Sequence, residues 1–206
     1  MGALEFKQSD PSSNTETSSS LIQKAGSGNS PAVRHVASGD RSPVDCGDLD
    51  MRIARDGTWF YRGSPIARPA LVKLFASVLR REPDGRYWLV TPAERGRIEV
   101  EDVPFIAVAL SVHSEGREQR LIFRTNLDDI VTAGPDNPLR VETAANGEPA
   151  PYILVRDDLE ARLARSVFYD LVELGTEEPM GETSQFGVWS RGRFFWLGEP
   201  GPDWWG

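Results

Sequence analysis

Arg68, Pro69 and Lys73 hold the sharpest chemistry legible in this chain. Pro69 falls at the first turn of a predicted helix, where its missing N–H costs nothing. No acid follows in that turn, so the free N–H groups and the positive dipole end stand unneutralised. A guanidinium at the helix entry and an ammonium one turn in would complete an anion site. Trp59 would offer a face on which a base can stack. Arg124, Asn126 and Arg156 lie at the ends of predicted strands and join the set. The expected ligand-binding residues are therefore Arg68, Lys73, Trp59, Arg124, Asn126 and Arg156. The plain alternative makes them surface charges, caps and ion pairs.

Catalytic chemistry has fewer parts to draw on. His35 lies in a polar tail, so a Ser-His-Asp or Cys-His device would have to use His113, at the end of an apolar strand. One cysteine, Cys46, and no His pair give no zinc spacing. No GxxxxGK[ST] motif occurs. Glu99 and Glu101 share a strand face and would suit paired-carboxylate hydrolysis, but such a face is the usual solvated one. The expectation is no catalytic residue, no metal, no cofactor and no enzyme.

A formal net charge of −8 over 206 residues argues against a nucleic-acid partner and gives no attraction to an anionic membrane. With a single cysteine there is no internal disulfide, and no stretch is apolar enough to span a bilayer. These features fit the cytoplasm. After position 45 the basic residues are all arginine except Lys73, and arginine's planar fork suits carboxylate and phosphate.

The elements that must position these residues follow from periodicity and punctuation. Apolar residues make up 39% of the chain, with few large ones in the Ser-rich segment 1–46, which is expected to be a disordered tail. Residues 47–92 read as a small α+β domain. Its hairpin turns at Asp56-Gly57, and its helix carries the stripe Leu71, Leu74, Phe75, Val78 and Leu79. Residues 93–206 read as a strand-rich domain. A helix is expected from the Asp157 cap through Leu159, Leu163, Val167, Leu171 and Leu174, with a polar loop over 176–185 and a hairpin around Arg191-Gly192. Trp59 and Trp189 each stand shortly before Arg-Gly beside a helix, a weak sign of internal duplication.

Taken together, DGTWFYRGSPI, RPALVKLFASVLRRE, YWLVTPAE and IEVEDVPF resemble a bacterial domain family of unknown function, over roughly Asp50–Gly198. The resemblance implies an α+β fold with internal duplication and a second domain superficially like a pleckstrin-homology fold. It also implies a small cytoplasmic protein with a signalling role and a ligand site, for a nucleotide-like molecule, between the domains. It supplies no catalytic residue. The resulting expectation is a non-enzymatic protein that senses a small anionic or nucleotide-like ligand. The alternative is a module that docks a protein partner through the aromatic hairpin Trp189–Trp196.

Overall fold

A computed structural model describes residues 42–144, 146–180 and 183–198, so the expected tail lies almost wholly outside the described residues. Among the described residues strands dominate, fifteen of them beside two short α-helices. The fold is mainly β with some helix, in two domains.

The first sheet contains β1 (Val44–Ile53), β2 (Trp59–Tyr61), β3 (Ser64–Pro65), β4 (Leu79–Arg81), β5 (Tyr87–Val90) and β6 (Glu94–Val100). Its order is β3-β2-β1-β6-β5-β4, antiparallel except for the central β1–β6 pair. Order begins earlier than the sequence suggested, because Val44 and Asp45 pair with Glu94 and Arg95. Helix α1 (Pro69–Ser77) links the two halves of the sheet.

The second sheet contains β7 (Phe105–His113), β8 (Arg120–Thr125), β9 (Ile130–Thr132), β10 (Leu139–Thr143), β11 (Pro149–Arg156) and β12 (Leu159–Leu163). Its order is β10-β11-β12-β7-β8-β9, again with one parallel pair, β12–β7, at the centre. Each sheet is thus two three-stranded meanders joined where the first and last strands meet in parallel. The two six-stranded sheets share this topology, whereas the Trp-Arg-Gly echo falls in β2, of the first sheet, and at Trp189, outside both sheets. β6 (Glu94–Val100) pairs within the first sheet, although the sequence reading groups it with residues 93–206. Helix α2 (Arg165–Glu173) follows β12, and a third sheet, β13 (Thr176–Met180), β14 (Thr183–Ser190) and β15 (Arg193–Gly198), completes the chain. One buried cluster runs from Met51 through Phe105, Leu121 and Leu171 to Leu197, so the core is continuous from the first sheet to the third.

Both helices differ from expectation. In α1 the buried residues are Val72 and Ala76, Leu74 is 60% exposed, and Leu79 has already entered β4. Arg80 and Arg81 follow it in that strand. The predicted Asp157 cap is a hairpin turn instead. Asp157 and Asp158 have φ of 43° and 60°, and Arg156 pairs with Leu159 across them. Two left-handed residues of this kind close a tight hairpin, and Asp tolerates that conformation better than most residues. Leu159, Ala161 and Leu163 then point inward with period two. Leu159 and Leu163 also satisfy a four-residue helical spacing, which is why they read as helix. The expected loop at 176–185 holds β13, an edge strand whose Glu177, Glu178 and Pro179 carry no apolar alternation.

A cationic cavity at the domain junction as the candidate functional site

The turn between β1 and β2 carries Arg55 and Asp56 against the second domain. It can approach closely because Gly57 has φ +83° and no side chain: a Cβ there would lie 2.7 Å from Asn126 Nδ2 and 3.0 Å from Ile106 Cγ1. Asn126 is the corner the turn rests on. Its Oδ1 accepts the Ile106 N–H at 3.0 Å, and its own N–H donates to the Ile106 carbonyl at 2.8 Å.

Facing this turn are the β10–β11 turn, the end of β12 and the first two turns of α2. Together they enclose a cavity of about 730 Å³, within the size range of small-molecule sites. Leu163, Phe168 and Val172 form much of its apolar wall, while Arg55, Arg162 and Arg165 bring positive charge. A smaller cavity of about 430 Å³ shares Arg55, Glu148 and Arg162 and adds Glu142, Asn146 and Tyr152.

The three arginines are not equivalent. Arg162 Nη1 donates to Asp102 Oδ2 at 3.3 Å, and the same carboxylate accepts the Tyr152 hydroxyl at 3.1 Å. Burial first, then the nearby Asp102 charge, pushes the Tyr152 hydroxyl up from its ordinary range. Arg165 Nε donates to the Tyr169 hydroxyl at 2.8 Å, and this contact favours the protonated guanidinium. Among the described residues, neither Arg55 nor Arg165 takes part in an ion pair. Helix α2 starts at the cavity with Ala164 as its N-cap, no side-chain cap and no acid in its first turn. Its positive end adds to the Arg55 and Arg165 guanidinium groups.

None of the six residues expected from sequence lines this cavity. Arg68 is the exposed N-cap of α1. Lys73 Nζ lies 2.6 Å from Asp128 Oδ2, and Arg124 Nη1 lies 3.2 Å from the other oxygen of that carboxylate. Trp59 is 2% exposed and stacked on Phe75 at 6.3 Å, so its ring offers no open face. Asn126 is committed to Ile106, and Arg156 Nη2 donates to the Ala76 carbonyl at 2.8 Å. Lys73 and Arg124 nevertheless share Asp128 across the junction between the domains, and Arg156 crosses it separately to Ala76. The sequence reading missed Arg55, Arg162 and Arg165. Arg55 was legible only as a hairpin neighbour, and Arg165 was hidden inside a helix begun seven residues too early.

The other chemical candidates are placed as follows. The Glu101 carboxylate bonds the Arg52 guanidinium and, at 2.9 Å, the Arg55 N–H, while Glu99 is exposed. His113 ends β7 in an exposed position. Among the described residues no His, Cys, Asp or Glu cluster could hold a metal, and no helix is long and apolar enough to cross a membrane.

Two family models match the chain: "Domain of unknown function (DUF1285), N-terminal domain" over residues 40–103, and "Protein of unknown function (DUF1285), C-terminal domain" over residues 104–197. They meet where the first sheet ends. The chain is similar to the crystal structure of a DUF1285 family protein from Silicibacter pomeroyi DSS-3. Identity is 51%, the match covers 76% of this chain and 83% of that one, and the TM-score is 0.70. A DUF1285 family protein from Shewanella baltica OS155 is 24% identical over 61% of this chain and 91% of that one, with a TM-score of 0.49. No curated protein matches.

Proposed function

The chain belongs to the DUF1285 family, and for this member we propose a non-enzymatic role in which a small anionic ligand binds in the cavity between the two domains. One observation carries the reading. In a chain of net charge −8, Arg55 and Arg165 line an interdomain cavity, and among the described residues neither guanidinium is in an ion pair, Glu148 acting on Arg165 through its charge alone. Unpaired arginine beside apolar surface is the arrangement that recognises a planar anion.

A ligand held there touches the β1–β2 turn and α2 together. Its binding energy therefore favours one relative setting of the two domains, the physical requirement for a sensing or signalling role. A nucleotide-like ligand and a cytoplasmic setting belong to the same proposal. So does a superficial pleckstrin-homology likeness, supported by the single helix that follows the second sheet.

A thermal-shift screen across carboxylates, phosphates and nucleotides tests the reading. A ligand at about 100 times its Kd adds about 2.7 kcal/mol of stability, and that gain is expected to vanish in Arg165→Gln. A library that shifts nothing would remove the proposal. A second reading rests on Trp196, which is 50% exposed on β15 and is a natural anchor for a protein partner. Trp189 is less available, since its Nε1 donates to Glu178 at 2.7 Å. Unchanged partner recovery by Trp196→Ala would sink this second reading.

A further inference from the structure

The cavity's lining says which kind of anion it suits. Building on the anion-site reading above, we propose that the ligand is amphipathic and singly charged: a carboxylate joined to an apolar aliphatic or aryl body.

Two observations carry this. The first is charge. Arg55, Arg162 and Arg165 are set against Asp56 and Glu148 in the lining, and Asp102, which binds Arg162, brings the cluster to three charges of each sign. Arg162 is already shared with Asp102, whose charge it offsets. A doubly or triply charged phosphate would therefore leave more charge uncompensated beside the fixed carboxylates than one carboxylate does.

The second is the chemistry of the walls. No serine, threonine, asparagine or glutamine is among the described residues lining the larger cavity. A nucleoside would bring ribose hydroxyls and base edges into contact with Ile106, Pro151, Leu163, Phe168 and Val172, which offer no side-chain hydrogen bonds. An alkyl or aryl body gains from the same surface by leaving water. The guanidinium groups of Arg55 and Arg165 then take the carboxylate, with Tyr169 holding Arg165 in place.

Calorimetric titration of the full chain with hexanoate, octanoate, decanoate, decanamide and AMP, each below its aggregation limit, tests this. The expected result is a Kd that tightens about fourfold per added methylene until the cavity is filled. Decanamide and AMP should each bind at least about tenfold more weakly than decanoate. Arg165→Gln and Arg55→Gln, both at exposed positions, should each weaken decanoate by about tenfold or more. Arg68→Gln, on the exposed cap of α1, should change nothing. Decanamide binding as tightly as decanoate, or an affinity indifferent to chain length, would overturn the proposal. AMP binding as tightly as decanoate and lost in Arg165→Gln would also overturn it, while leaving the anion site standing. Binding of none of these, nor of inorganic phosphate, would remove both.

Discussion

Arg156 Nη2 donates to the main-chain oxygen of Ala76 at 2.8 Å, so a side chain from the second sheet closes the last turn of the first domain's helix. The guanidinium also lies over the Phe105 ring, 5.0 Å from its centroid. A cation at a helix C-terminus meets the negative end of its dipole, and here it spans the domain junction as well.

Arg156→Ala should therefore lower unfolding free energy by about 1.5–3 kcal/mol, the range for a hydrogen bond to a charged group. Arg156→Lys should recover less than half of that, because an ammonium cannot reproduce the fork or the ring contact. Urea denaturation of the three proteins measures both. A loss below about 0.5 kcal/mol for Arg156→Ala would place the contact among ordinary surface interactions.

The second tie between the domains depends on pH. Hydrogen bonding and charge from Lys73, then Arg124, hold the Asp128 carboxyl below its ordinary value of 3.8. A depressed folded value means that the contribution is present above pH about 4 and is lost as pH falls through the folded value. Asp128→Asn should thus flatten the acid limb of the stability curve and change little at neutral pH, where the exposed pair is weak. Denaturation midpoints at neutral and acid pH, for wild type and variant, make the comparison. Identical acid slopes would show that the pair contributes nothing.

Ser190 fastens the third sheet to the second. It is 0% exposed; its hydroxyl accepts the Leu121 N–H at 3.1 Å and donates to the Ala133 carbonyl at 2.8 Å. Beside it, the Arg191 and Gly192 N–H groups donate to the carbonyls of Gln119 and Arg117 at 2.9 and 3.0 Å. Ser190→Ala would leave a buried donor and acceptor unpaired, at a cost of about 1–3 kcal/mol. Amide exchange should show β14 opening more readily in the variant. Unchanged protection there would contradict the role given to the hydroxyl.

Local signals were legible where one physical rule acted alone. Asp56-Gly57 marked the first hairpin, and Pro69 marked the start of α1. Where two rules overlapped, the wrong one was read. Leu159–Leu163 satisfies helical and strand periods equally, and only the pairing of β12 with β7 and β11 decides between them. The parallel centre of each sheet joins strands far apart in sequence, so no local pattern announces it. The site failed to show for the same reason. Arg55, Glu148 and Arg165 are brought to one cavity by tertiary packing, whereas Arg68 and Lys73 were neighbours only along the chain.

Amide-correlation NMR during titration with decanoate, AMP and inorganic phosphate in turn is the most direct test of the interdomain anion site. At least one should produce saturable shifts at Arg55, Glu148, Ala164 and Arg165, on both domains at once, and Arg165→Gln should abolish them. No saturable shift with any of the three, or shifts centred on Arg68 and Lys73, would contradict the account.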